Sequence, residues 1–199
     1  MKIDVLKAFP TPIHKIDIDN YPQVKERMTK FVYGEYEKNP EGRLISNRGG
    51  WQSPLYQGND TNILMTMLQH AVSGYLGRSR LFKKGLKFYF VNSWININKK
   101  GDYNVMHVHS GCELSGIFYL KIPPNSGILC FDSPHVFADY EFACYSEEFR
   151  SQDCVRNHHS IEPKEGRMIL FPPYLYHRVE PNQSDEDRIS VSFNLAFKI

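Results

Sequence analysis

Cysteine is scarce in this chain and never paired in sequence. Cys112, Cys130, Cys144 and Cys154 include no CxxC spacing, which argues against a paired-cysteine motif and reads as reduced thiols in a cytoplasmic protein. Long apolar runs are missing too. Nothing resembles a signal peptide or a membrane span, so neither secretion nor membrane insertion is expected. Net charge is small, +2 over 199 residues. Such a balance gives no electrostatic ground for a nucleic-acid or membrane partner, without excluding nucleic acid outright. There are no repeats, low-complexity tracts or breaks in composition. The length suits a single domain, residues 1–199, with an ample core.

What the chain does have is aromatic residues, 12 Tyr and 13 Phe, and these favour strands. Residues 1–80 read as a helical N-terminal part. An extended arm over 5–18 is broken by Pro10 and Pro12, since proline lacks the amide a strand or helix interior needs. Val24, Met28, Phe31, Val32 and Tyr36 recur at helical spacing and predict a helix from about Tyr21 to Tyr36. A loop over 39–60 follows. Asp60 or Thr61 is expected to cap a second helix reaching about Leu76.

From residue 86 the period changes to two. Strands are expected over 86–97, 105–109, 114–122, 127–132, 160–163, 167–172, 176–180 and 188–197. The polar stretch 133–160, with His135, His158 and His159, reads as an insertion over one end, a lid-like segment. Helices followed by about eight short strands predict an α+β fold. Its core would be a double-stranded β-helix, the jelly-roll or cupin type of barrel, with the helices packed on one sheet.

Chemistry gathers in Gly101–Leu120, GDYNVMHVHSGCELSGIFYL. His107 and His109 are two residues apart, so a strand would present both imidazoles on one face. His177 lies in a third strand-like stretch. Neutral imidazole is the commonest nitrogen ligand for metals. Glu113 is an alternative carboxylate ligand, or a solvated turn residue. Gly101, His107, His109 and Glu113 follow the G-x5-H-x-H-x3-E spacing of the first cupin motif. Gly166, Pro172 and His177 echo the second, with Tyr174 and Pro181 where it usually has Gly and Asn. Arg188 opens the alternating run RISVSFNLAF. A buried arginine needs an acceptor. Asp185, Glu186 or Asp187 could supply it; with Ser190 on the same face, a ligand carboxylate is the better fit.

From His107 to Arg188 the chain resembles the iron(II)/2-oxoglutarate-dependent oxygenases. It comes close to their prolyl-4-hydroxylase-like branch and its uncharacterised phage and marine bacterial members. The family pattern is H-x-[DE], a distal His, then Arg-x-Ser about ten residues on. The resemblance implies Fe(II), 2-oxoglutarate as co-substrate and O2, with His107 and His177 as iron ligands and Arg188 with Ser190 on the distal carboxylate. Tyr119 matches a tyrosine that bonds the same carboxylate. Asn96 and Asn98 match, more loosely, a pair that touches 2-oxoglutarate. His109 stands where the family has an acid, and it is expected to be the middle ligand. Trp94, Phe118 and Phe171 are candidates for an apolar wall.

The implied function is oxidative decarboxylation of 2-oxoglutarate coupled to C–H hydroxylation of a small molecule or protein side chain. A homodimer is left open. Two alternatives stand beside it. One is a three-histidine cupin-type metalloenzyme that does not use 2-oxoglutarate. The other is a barrel that binds without turnover.

Overall fold

The computed structural model describes residues 1, 4, 6, 9–19, 21–57, 60–135, 144–150 and 157–198. Much of the expected insertion over 133–160, parts of the N-terminal arm, and Cys154 lie outside the described residues. Eleven strands and three helices are described. The strands are β1 (His14–Asp17), β2 (Asn47–Arg48), β3 (Trp51–Gln52), β4 (Lys87–Asn98), β5 (Tyr103–His107), β6 (Leu114–Lys121), β7 (Leu129–Asp132), β8 (His158–Ile161), β9 (Arg167–Phe171), β10 (His177–Val179) and β11 (Arg188–Lys198). The helices are α1 (Tyr21–Lys38), α2 (Ile63–Arg78) and the short α3 (Glu147–Arg150).

The strands form two antiparallel sheets. The larger has six strands in the order β1-β9-β6-β11-β4-β3, and the smaller has five in the order β2-β5-β10-β7-β8. Alternation on the larger sheet divides its residues by chemistry. On β11, Ile189, Val191, Phe193 and Leu195 face outward, into one apolar cluster with α1 and α2. Arg188, Ser190, Ser192 and Asn194 occupy the opposite face of the same strand. The helices present Met28 and Val32 from α1, and Leu64, Leu68, Val72 and Leu76 from α2, at the spacing of one helical face. Fully burying a Leu or Val is worth about 1.5–3 kcal/mol, so this face holds the helices to the sheet. A second cluster lies between the sheets. It joins Ile117, Tyr119, Ile169 and Phe171 to Leu129, Phe131, Ile161 and Val179.

Several boundaries differ from expectation for physical reasons. Asn62, not Asp60 or Thr61, caps α2, because its side-chain oxygen reaches the Met65 amide at 3.0 Å. Asp60 instead accepts from the Gln57 amide. The expected loop 39–60 contains β2 and β3, which are two residues long and too short to show a period. Between them Gly49 and Gly50 both sit at φ of 64°, a conformation glycine adopts without steric cost. The chain thereby passes from the smaller sheet, where β2 pairs with β5, to the larger, where β3 pairs with β4. Gly101 has φ of 87°, in the turn between β4 and β5. Among the described residues no helix is long and apolar enough to cross a membrane.

Candidate metal centre and anion pocket

His107 and His177 are direct partners across the β5–β10 ladder. Strand β5 ends at His107, short of the expected 109. His109 lies just beyond, where its amide donates to the Pro173 carbonyl at 3.0 Å. This bond replaces strand pairing and keeps the side chain turned inward. The nitrogens His107, His109 and His177 offer lie within 4.8 Å of one another, a spacing suited to one metal ion.

Each imidazole has its Nδ1 tied down. That of His107 donates to the Val105 carbonyl at 2.7 Å, and that of His177 to the Leu175 carbonyl at 2.8 Å. His109 Nδ1 lies 2.8 Å from both Asn194 Oδ1 and Ser115 Oγ. A carbonyl can only accept, so the proton sits on Nδ1 and the Nε2 lone pair is left for a ligand. Burial also favours the neutral rings. Loss of solvation lowers the pKa of His107, brings His109 to about 4 and His177 to about 3. For His177 the neighbouring His107 adds to the effect. At neutral pH all three rings are ready to bind a metal without first losing a proton.

Glu113 is not at this cluster. Its carboxylate accepts from the Phe197 amide at 3.0 Å on the exposed side of the sheet. His135 and His158 are exposed, and the metal-competent group among the described residues comprises none of them.

The same pocket extends from the histidines past Trp94, Phe171, Asn96 and Ser192 to Ser190 and Arg188. Trp94 packs edge-on to His109 at 5.5 Å, and Phe171 packs on His177 at 4.8 Å. Phe118 does not belong to this wall. It alternates with Ile117 and Tyr119, so it faces the helices, edge-on to Tyr21.

Arg188 is 1% exposed. Its Nη1 donates to Asn98 Oδ1 at 3.4 Å and Ser190 Oγ at 3.3 Å, both long bonds. Its Nε and Nη2 have no acceptor, and neither the Tyr119 hydroxyl nor Asn96 Oδ1 has a partner. The acids beside it in sequence are engaged elsewhere: Asp185 with Lys100, Glu186 with Lys121 and Asp187 with the Tyr33 hydroxyl. Burial lowers the Arg188 pKa and pushes that of Tyr119 up to about 12, the latter offset in part by the guanidinium. An arginine remains charged in a protein, and a buried charge without an acceptor is strongly destabilising. The pocket therefore presents unspent donors at one end and unspent imidazole lone pairs at the other.

Asn194 and Ser115 were not singled out by sequence reasoning. For Asn194 the signal was present in the polar alternation of RISVSFNLAF, where every second residue from Arg188 to Asn194 is polar; Ser115 sits in the apolar run of β6, which carries no such signal.

Solved structures of similar fold include prolyl hydroxylases and another 2-oxoglutarate-dependent enzyme. A prolyl-4-hydroxylase from Pseudomonas putida aligns with a TM-score of 0.58 at 14% identity, over 92% of each chain. The viral collagen prolyl hydroxylase of Paramecium Bursaria Chlorella virus-1, solved with 2-oxoglutarate, aligns at 0.59 and 16% identity, over 94% of this chain and 96% of that one. The α-ketoglutarate-dependent carbocyclase SnoK from nogalamycin biosynthesis aligns at 0.66 and 13% identity, over 93% of this chain and 79% of that one. No curated protein sequence matches the chain. A family model described as "Putative 2OG-Fe(II) oxygenase" matches residues 92–194, more than half of the chain, and the protein belongs to that family.

Proposed function

We propose that the protein is an Fe(II)/2-oxoglutarate-dependent dioxygenase that hydroxylates a C–H bond of a small molecule or a protein side chain. In this reading the two sheets are a double-stranded β-helix. His107, His109 and His177 would hold iron, each through its free Nε2. Arg188 receives the distal carboxylate of 2-oxoglutarate, with Tyr119, Ser190, Asn96 and Asn98 around it. Bound iron and 2-oxoglutarate supply the chemistry, the oxidative decarboxylation that activates O2. The chain's own residues bind, orient and exclude water: Arg188 fixes the co-substrate's far end, and Trp94 and Phe171 shield the histidines.

The observation that carries this reading is Arg188, buried and lacking acceptors at Nε and Nη2. A carboxylate suits that fork, as two parallel charge-assisted bonds. A three-histidine metalloenzyme that does not use 2-oxoglutarate, or a barrel without turnover, gives Nε and Nη2 of the buried guanidinium no acceptor. Anaerobic titration with Fe(II) and then 2-oxoglutarate tests it, with a visible charge-transfer band as the readout. The band, and succinate formed on admitting O2, are expected. Tight iron binding with no spectral response to 2-oxoglutarate would overturn the co-substrate assignment.

A further inference from the structure

Three neighbouring strands place polar side chains in one row beneath His109. Asn194 on β11 is in register with Asn92 on β4 and with Ser115 on β6. The row is bonded end to end. Asn194 Nδ2 donates to Asn92 Oδ1 at 2.9 Å, the Ser115 hydroxyl donates to Asn194 Oδ1 at 2.8 Å, and the same Oδ1 lies 2.8 Å from His109 Nδ1. Asn194 is 5% exposed, so water does not replace these bonds.

We propose that Asn194 is a positioning residue that selects the tautomer of His109 and so turns its Nε2 toward the metal. The inference rests on the three-histidine reading above. An amide side chain has an accepting and a donating end. With its NH2 engaged by Asn92, Asn194 offers His109 the carbonyl oxygen, which demands a proton on Nδ1. Turned the other way, the NH2 would face Nδ1, the ring proton would move to Nε2, and the nitrogen aimed at the metal would lose its lone pair. His107 and His177 need no such device, because backbone carbonyls already hold their Nδ1 protons. His109 lies beyond the end of β5 and takes its acceptor from a side chain instead. That partner is also neutral. An aspartate at 194 would make His109 more basic and add negative charge to a pocket lined by no carboxylate among the described residues.

The test combines metal-free and metal-loaded measurements on wild type, Asn194→Leu, Asn194→Asp and the double variant Ser115→Ala/Asn194→Leu. Ser115 Oγ is near enough to stand in as acceptor, which is why the double variant is needed. Long-range 15N–1H spectra of metal-free protein read the His109 tautomer directly. Co(II), added anaerobically, reads affinity and the d–d bands. We expect Nδ1–H in wild type and Asn194→Asp, and a mixed or Nε2–H ring in the double variant. Co(II) affinity should fall about 10–100-fold in the double variant. In Asn194→Asp it should match or exceed wild type, with shifted d–d bands. An unchanged tautomer and unchanged Co(II) affinity in the double variant would overturn the proposal. Failure of wild type to bind Co(II) would instead overturn the metal reading, while the metal-free spectra would still decide the role of Asn194.

Discussion

His107 and His177 pair directly across β5 and β10, with ring centroids 4.2 Å apart. With each Nδ1 bonded to a backbone carbonyl, the two rings offer their remaining nitrogens close enough together to serve one cation. Burial favours the neutral form of both rings, the form that ligates a metal.

His107→Ala and His177→Ala should each remove tight Fe(II) binding. Too few protein ligands would remain to hold a labile divalent ion against water, and the loss should exceed about a hundredfold. Iron content of anaerobically purified protein checks this. Wild-type stoichiometry in either variant would sink the ligand assignment.

Arg188→Ala should weaken 2-oxoglutarate binding roughly a hundredfold, the worth of a desolvated charge-assisted pair, and leave iron in place. Arg188→Lys should recover only part, because an ammonium cannot form the fork. Calorimetry with the iron-loaded protein measures both. Equal affinity in Arg188→Ala and wild type would place the co-substrate elsewhere.

His109→Asp should retain iron, since it exchanges one ligand type for another, and decarboxylation of 2-oxoglutarate should persist or rise. Glu113→Gln should change neither, because Glu113 bonds the Phe197 amide on the outer side. Iron loss in Glu113→Gln with full retention in His109→Ala would reverse the two roles.

The metal-free protein should lose stability on acidification, starting near pH 6.5. His109 and His177 have folded-state pKa values of about 4 and 3 against an ordinary 6.5, and His107 is lowered too. Above pH 6.5 these rings are neutral in both states and make no difference. Below it the unfolded chain binds protons that the folded chain refuses, so stability falls until the folded values are reached. The slope is about 1.4 kcal/mol per pH unit for each ring. Urea midpoints of chelator-treated protein between pH 7.5 and 5 measure it, and His177→Gln should flatten the curve. A pH-independent midpoint would mean that the rings titrate normally.

The larger features were legible because they rest on periodicity. The change from helical spacing in α1 and α2 to alternation in β4 and β11 is visible residue by residue, and on β11 it marks which face meets the helices. His107, His109, His177 and Arg188 stood out because ionisable and ligating groups are uncommon among buried strand residues. The hidden parts depend on three-dimensional pairing. Strands β2 and β3 are too short to show a period. Asn194 looks like any polar strand residue until β4 and β6 are laid beside β11. Phe118 shows the reverse error, since an aromatic next to site residues in sequence points the opposite way in a strand.

One consequence follows from β11 carrying both Arg188 and, six residues on, Asn194 beneath His109. The strand is clamped along its length by β4 and β6, and six extended residues span about 20 Å of covalent backbone. Neither end of the pocket can drift toward the other without breaking those two ladders. In the proposed reading, the strand would act as a fixed gauge for a molecule held between metal and guanidinium. Chain length, more than charge, should set which 2-oxo diacids are accepted. Under the same anaerobic titration, oxaloacetate, one carbon shorter, and 2-oxoadipate, one carbon longer, should both bind more weakly than 2-oxoglutarate; equal binding of all three would show that the gauge gives.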